Sequence, residues 1–179
     1  WSSYLGGNGD DAVYSLAIND SLDLYVTGGT NSSNFPITFG CFQSNFVGVR
    51  ADGFITKIDK NGQNVLRSTY FGSNEYDQLY FVEVDKQSNV YVLGQTEGST
   101  NRFIKNATYN QPRSGQVVSK LDPTLDSLIW STTFGTSSPP NTRAQPNISP
   151  TAFLVDLCNA IYISGWGGAT NTGAFTNNN

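Results

Sequence analysis

Short runs of alternating apolar and polar residues dominate the chain and fall into groups of four. In the first group they cover residues 13–19, 24–30, 53–59 and 64–71. A period of two residues is that of a β-strand with one buried face. Tight polar turns follow the first and third runs, whereas residues 31–52 between the second and third show no strand pattern. The pattern predicts two β-hairpins joined by a long surface loop.

The same order of runs recurs along the chain. A shift of 66 positions aligns Asp11 with Asp77 and Gly28 with Gly94, and a further shift of 71 positions aligns Gly94 with Gly165. A four-stranded antiparallel unit cannot bury both of its faces alone, whereas units stacked around an axis bury them against each other. We therefore predict an all-β fold of β-propeller blades with four antiparallel strands each, about two and a half blades in this chain. The repeated glycine is interpreted as a backbone device that permits a bulge or a close approach.

The later strands repeat at a shift of 63 positions, which aligns Gly72 with Gly135, and Gly6 aligns with both. The predicted division is residues 1–7 as the last strand of a preceding blade, 8–72 as blade 1, 73–135 as blade 2 and 136–179 as a partial blade 3. Residues 137–150 are predicted to be an inserted loop. A chain that starts on a last strand and stops inside a unit is expected to have unpaired strand edges, which favour pairing with other chains.

Composition agrees with an all-β chain and narrows the chemistry. Asn, Ser and Thr are frequent, Gly numbers 18 and Met is absent, as expected of short strands joined by turns. Charged residues make up 13% of the chain and the net charge is −4, so nucleic-acid binding is not expected. No segment is long and apolar enough to predict a membrane span. Histidine, the commonest general base near neutral pH, does not occur.

The amino-acid sequence of the first unit resembles a known repeat. The elements YLGG, YVTGGT, FPIT, GCFQ, DGFITKID and STYFG, in this order, resemble the SBBP-type β-propeller repeat of secreted and cell-surface proteins. The variant LCNAIYISGWGG is similar to those of Bacteroidetes-type bacteria. The resemblance covers nearly the whole chain, but FPIT and GCFQ are absent from the second unit. It implies an exported protein, often a large one of several domains, and it brings no catalytic residues.

The acidic residues have two possible interpretations. Asp10, Asp11 and Asp77 supply oxygen atoms of the kind that Ca²⁺ binds, but no unit offers a full set of ligands, and a turn or capping role is favoured. A Ca²⁺ ion shared between units stays open. Four further carboxylates stand at repeated positions, which favours a structural role over a glycosidase pair: Asp59, Asp85, Asp122 and Asp156. We expect no enzyme activity, no catalytic residue, no metal site and no cofactor.

Aromatic residues of the long loops are the candidate contact surface for a glycan or a protein partner. Four are the candidate contact residues: Phe46, Phe103, Tyr109 and Trp166. Phe175 of the third unit is considered with them. The alternative is that loop aromatics fasten the loop to its own blade, which we favour for Phe35, Phe39 and Phe42.

Two further pairs of residues carry predictions. Cys41 and Cys158 are expected not to form a disulfide, because the loops that hold them project from opposite ends of a blade. Ser21 and Ser127 each stand in an Asp-Ser-Leu triplet that resembles the sequence on which Bacteroidetes-type bacteria attach O-glycans. Both triplets lie in short hairpin connections, where a glycan has room, although Asp and Ser are also ordinary turn residues.

The function that these observations favour is a non-catalytic extracellular propeller segment of a larger surface or secreted protein, serving adhesion or surface scaffolding. Its expected partners are further blades or domains of the same protein, and glycans or surface proteins. The alternative is the propeller part of an exported polysaccharide-degrading or other hydrolytic enzyme. Two carboxylates that converge in a cleft from different units would favour the enzyme.

Overall fold

The computed structural model describes residues 1–98 and 101–167, and for Asn101 it describes the backbone only. The first sheet, blade 1, runs in the order β1 (Asp11–Ile18), β2 (Leu24–Thr30), β3 (Asp52–Ile58) and β4 (Val65–Phe71). Blade 2 repeats this order with β5 (Asp77–Val84), β6 (Val90–Thr96), β7 (Gln116–Leu121) and β8 (Leu128–Phe134). Hairpin 3 consists of β9 (Ile148–Val155) and β10 (Ile161–Gly167). All neighbouring strands are antiparallel, which confirms the predicted all-β fold.

The predicted strand ends hold to within two residues in blade 1, but two expectations differ from the structure. Residues 1–7, predicted as a last strand, form no strand with any of the described residues. The predicted third loop, residues 137–150, is too long, since β9 already begins at Ile148. The Pro150 ring did not prevent strand pairing there, and Pro150 lies opposite Gly165 in the ladder.

The blades pack face to face, with alternate residues of each strand entering different cores. Tyr25, Ile55 and Phe71 of blade 1 meet Val92 and Val117 of blade 2 in one core. The opposite face of blade 2 packs on hairpin 3 through a second core that includes Tyr91, Leu93, Val118, Phe134 and Phe153. The opposite face of blade 1 carries a third core of Val26, Phe35, Phe54 and Tyr70. This two-sided burial is what the propeller prediction requires of a blade.

The first strand of each unit lies beside the first strand of the next, with β1 against β5 and β5 against β9. The backbone N–H of Val82 donates to Ser15 Oγ at 3.2 Å across the first of these contacts. We call this side of the molecule the inner edge. No helix in the described ranges is long and apolar enough to cross a membrane.

Candidate functional site

The repeated acidic residues lie in hairpin turns of one design. In each of the five hairpins among the described residues, the side chain of the first turn residue accepts a hydrogen bond from the backbone N–H four residues later. The five first residues are Asn19, Asp59, Asp85, Asp122 and Asp156. The residue three positions after each has a positive φ, as with Leu22 at 65° and Leu125 at 55°. These side chains stabilise the turn, so the structural interpretation of the repeated carboxylates is supported.

The acidic residues at which the first strands of blades 1 and 2 begin also act on the backbone. Asp11 Oδ2 accepts from Gly7 N–H at 2.7 Å and from Ser32 Oγ at 2.9 Å, and Asp11 Oδ1 accepts from Thr30 Oγ1. Asp77 Oδ2 accepts from the backbone N–H of Ser73 at 2.6 Å. Within the described residues, no group of three or more His, Cys, Asp or Glu is placed to hold a metal ion. The donors around Asp11 and Asp77 favour the capping role over the Ca²⁺ role.

A β-bulge interrupts the first strand of every unit at the same position. Val13 and Ser15 face consecutive residues of β2, which leaves Tyr14 as the extra residue of the bulge. The bulge recurs in β5, where the extra residue is Tyr80, and in β9, where it is Thr151. A bulge bends its strand and turns a side chain away from the ladder. The fold thus presents two tyrosines at the inner edge.

The repeated glycine lies directly opposite this bulge. A Cβ on Gly28 would lie 1.8 Å from Ala12 O, and a Cβ on Gly94 would lie 2.1 Å from Gln78 O. At Gly165 the corresponding contact, to Ser149 O, is 2.7 Å. Real Cβ atoms do not approach a backbone oxygen so closely, and a bulged strand needs a partner without a side chain there. The interpretation of this glycine as a backbone device is supported.

The two bulge tyrosines contact each other and a glutamine. The ring centroids of Tyr14 and Tyr80 lie 5.8 Å apart. Gln78 Nε2 donates to the Tyr14 hydroxyl at 3.0 Å, and the Tyr80 hydroxyl donates to Gln78 Oε1 at 3.1 Å. Tyr14 remains 47% exposed, whereas Tyr80 is half-buried beneath it. The pKa of Tyr80 is raised, chiefly by burial and then by Tyr76 and Tyr14, so its hydroxyl stays protonated.

A pocket of about 230 Å³ opens beside Tyr14 between the start of blade 1 and the start of blade 2. We call it the tyrosine pocket and define it by Tyr14, Tyr76, Gln78, Arg50 and Asp10. The Arg50 guanidinium lies 4.5 Å above the centre of the Tyr76 ring. Burial raises the pKa of Tyr76, as does the nearby Tyr14, so Tyr76 is neutral and can act as a hydrogen-bond donor.

A second polar cluster, centred on Asp52, lies buried at the other end of the blade interface from the hairpin turns. Asp52 Oδ2 accepts from Gln43 Nε2 at 3.0 Å and from the Val47 N–H at 2.9 Å. Arg102 Nη2 in turn donates to Gln43 Oε1 at 2.8 Å. Burial, together with the negative charge of Asp77, raises the pKa of Asp52 to about 7. Asp52 and Asp77 are at most 2% exposed, so a substrate does not reach their carboxylates.

The structure separates the candidate contact aromatics. Phe103 is 1% exposed and stacks on Phe71 with ring centroids 5.0 Å apart, so the prediction of a contact role for Phe103 is wrong. Its position in a loop suggested exposure, but the short 3₁₀ turn Asn101–Phe103 returns it to the core between the blades. Phe46 is half-buried against Tyr70. Tyr109 and Trp166 are exposed, and their contact role stays a prediction.

The loop aromatics of blade 1 follow the alternative interpretation with one exception. Phe35 is buried against Phe54 and Phe42 packs on the core between the blades, so both fasten the loop as predicted. Phe39 is fully exposed, and the prediction that it fastens the loop is wrong. Phe175 lies outside the described residues.

The remaining predicted positions lie where the strand pattern placed them. Ser21 and Ser127 are exposed residues of the β1–β2 and β7–β8 turns, and their modification stays a prediction. Cys41 lies in the loop between β2 and β3, and Cys158 lies in the turn of hairpin 3. Both are free thiols.

The sequence contained a signal for the tyrosine pocket, although contact residues were expected only in the long loops. Tyr14 and Tyr80 occupy equivalent positions of the 66-residue repeat, directly before the apolar half of the first strand. An aromatic residue repeated on a strand is ordinarily a core residue. The bulge, which strand alternation does not show, leaves Tyr14 outside the ladder pairing, and its side chain is 47% exposed.

Comparison with known proteins supports the repeat. Residues 1–36, which contain β1, β2 and the start of the following loop, match the model of the SBBP family, a beta-propeller repeat. Comparison with curated proteins finds no match. The Asp cap, the bulge, the opposing glycine and the hairpin turn of this segment all recur in blade 2. The chain therefore contains an SBBP-type β-propeller repeat at residues 1–36, and its strands form antiparallel propeller blades.

Proposed function

We propose that the chain is a non-catalytic binding segment of a larger exported or cell-surface protein, serving adhesion or surface scaffolding. The observation that carries this proposal is that the repeated carboxylates and the tyrosine of the β1 bulge have different roles. The repeated carboxylates are bonded to backbone N–H groups of turns and caps, whereas the bulge of β1 presents the Tyr14 side chain at an open pocket. Rigid strands with adaptable loops suit recognition.

The buried Asp52 and Asp77 also support a binding role over a hydrolytic one. A glycoside hydrolase needs two carboxyl groups that flank an accessible sugar bond. Burial raises the pKa of Asp52 and of Asp77, and both carboxyl groups are shielded from solvent. The exposed Ser21 and Ser127 fit the accompanying proposal that the exported protein is O-glycosylated.

Surface location and binding are tested together on cells of the source organism. Antibodies against the chain are expected to label intact cells, and the purified chain is expected to bind those cells or their extracellular matrix. Labelling only after permeabilisation contradicts the extracellular proposal.

The absence of catalysis is tested separately on polysaccharides. Purified protein incubated with neutral and acidic polysaccharides is expected to release no more reducing ends than heat-denatured protein does. Release that depends on the native protein would instead support the hydrolytic alternative.

A further inference from the structure

We infer that the tyrosine pocket binds a neutral sugar residue of a larger glycan. The inference rests on the proposed binding role and names its ligand class. Tyr14 supplies the exposed aromatic face, and Arg50 stacked on Tyr76 supplies a second flat wall. Sugar rings present apolar C–H faces that pack on aromatic rings, while their hydroxyl groups need polar partners around the rim.

The hydrogen-bonding groups of the pocket match hydroxyl groups, which both donate and accept. The Tyr14 hydroxyl accepts from Gln78, so its own proton is left for a ligand oxygen. Arg50 adds guanidinium donors, and the exposed carboxylate of Asp10 adds an acceptor. Donors and acceptors therefore lie around one aromatic face.

The charges disfavour anionic ligands. Arg50 Nη2 is paired with Glu97 Oε2 at 2.6 Å, and Asp10 and Asp11 line the same pocket. A phosphate, sulfate or uronate group would meet more negative than positive charge there. Arg50 already occupies the face of Tyr76, so a cationic ligand would find only the Tyr14 face free, and choline is the probe for this competing ligand.

Size and rigidity argue for a single sugar ring. A pocket of about 230 Å³ is smaller than the usual site of a whole drug-sized ligand, so it suits one residue of a longer chain. Tyr14 is held before binding by the bulge, by Gln78 and by the Tyr80 ring, so little side-chain entropy is lost when a ligand binds. Tyr80 positions Tyr14 and does not line the pocket.

The test measures binding of the 179-residue chain to defined oligosaccharides by saturation-transfer NMR and calorimetry. The neutral probes are cello-, manno- and galacto-oligosaccharides, and the charged probes are oligogalacturonate and choline. We expect at least one neutral probe to receive saturation from aromatic protons, and we expect the charged probes not to bind. Binding of no neutral probe, or equal binding of a charged probe, overturns the inference.

Variants assign the binding to the pocket. Tyr14→Ala is expected to weaken the binding of the neutral probe about ten-fold, which corresponds to the loss of one aromatic contact of about 1.4 kcal/mol. Tyr14→Phe keeps the ring but loses the hydroxyl, and about a three-fold loss is expected. Tyr4→Ala is the matched control, because it removes a fully exposed tyrosine outside the pocket and is expected to leave affinity unchanged. Equal affinity of wild type and Tyr14→Ala rejects this site.

Binding by the wild-type chain distinguishes failure of this inference from failure of the proposed adhesive role. If the wild-type chain binds source cells but no neutral glycan, the sugar site is wrong and the adhesive role stands. If it binds neither cells nor glycans, both are wrong. Thermal unfolding of each variant shows whether lost binding reflects lost folding, and Tyr14→Phe, which keeps the ring packing, decides the matter if Tyr14→Ala unfolds.

Discussion

Blades 1 and 2 share their turns, their bulge and the glycine opposite it, yet they differ in where their long loops go. The blade 1 loop sends Phe35 onto the face of its own blade that points away from blade 2, places Phe42 at the margin of the core between the blades and leaves Phe39 in solvent. The blade 2 loop instead inserts Phe103 between the two blades, where it stacks on Phe71. The strands, turns and bulges of the two blades therefore repeat, whereas the conformation and contacts of their long loops do not.

This difference shows which parts of a repeat are constrained by geometry. Turns and bulges are fixed by local backbone conformation, so the residues that make them recur in every unit. Loop aromatics depend on whatever surface the neighbouring blade offers, so their exposure changes from unit to unit. The following predictions test this contrast between repeated backbone devices and loop residues specific to one blade.

The largest effect is expected from the loop of blade 2. Phe103→Ala should lower the free energy of unfolding by about 3–5 kcal/mol, since it leaves a cavity beside Phe71 in the core between the blades. Phe39→Ala is the matched control, because the Phe39 side chain is fully exposed, and it should change stability by no more than about 0.5 kcal/mol. Urea unfolding followed by tryptophan fluorescence measures both, and equal stabilities would show that Phe103 is not a core residue.

The second largest loss of stability is expected at the glycine opposite the bulge, which both blades share. Gly28→Ala and Gly94→Ala should each cost about 2–3 kcal/mol, because the added Cβ meets a backbone oxygen of the bulged strand. Gly40→Ala is the control, since Gly40 has a φ of 73° with open space around it, and it should cost about 1 kcal/mol from backbone strain alone. Chemical denaturation compares the three variants. A loss at Gly28 no larger than that at Gly40 would contradict the bulge explanation.

Much of the fold could be predicted from the sequence because its signals are local. Alternation gave the strands, the repeated Asp and Gly positions gave the turns and the unit length, and each strand of blade 1 lies within two residues of its predicted position. The exposure of Phe103 and Phe39 could not be predicted, because it depends on contacts between a loop and another blade. The tyrosine pocket was missed for a related reason, since it requires a bulge and the approach of β1 to β5.

Asp52 of blade 1 should make the free energy of unfolding depend on pH. Blade 2 has no counterpart of this carboxyl group, because Gly115 stands at the equivalent position of the repeat. The pKa of Asp52 is raised from 3.8 to about 7 by burial, so the folded state holds a proton that the unfolded chain releases near pH 4. Its contribution to stability is fully present below about pH 4 and is lost as the pH rises through about 7. The expected loss is on the order of 2 kcal/mol.

Asp52→Asn should flatten this part of the stability profile. A smaller slope of the same sign should remain, because burial also raises the pKa of Asp77. The free energy of unfolding, measured in urea at intervals from about pH 4 to about pH 8, is compared for the two proteins. Parallel profiles of wild type and Asp52→Asn would contradict the assignment to Asp52.

The smallest effect is expected from variants that exchange turn residues between the two blades. Lys120 of blade 2 pairs with Asp85 at 3.0 Å, whereas its counterpart Lys57 in blade 1 pairs with Asp23 at 3.2 Å. The positions equivalent to Asp85 and Asp23 are Asn19 and Asn89, so the two blades place the carboxylate at opposite ends of the same turn. Asp85→Asn should cost about 1 kcal/mol, because the amide oxygen still accepts the turn hydrogen bonds but Lys120 loses its ion pair.

The double variant Asp85→Asn with Asn89→Asp reproduces the blade 1 turn inside blade 2. It should recover about half of the lost stability, since the carboxylate introduced at position 89 would stand toward Lys120 as Asp23 stands toward Lys57. The reciprocal change Asn19→Asp, made alone, adds a carboxylate beside Asp23 and should not stabilise blade 1. Thermal unfolding at low ionic strength resolves these differences. A double variant no more stable than Asp85→Asn alone would show that the two turns are not interchangeable, and the contrast between shared backbone devices and blade-specific contacts would then extend to the turns themselves.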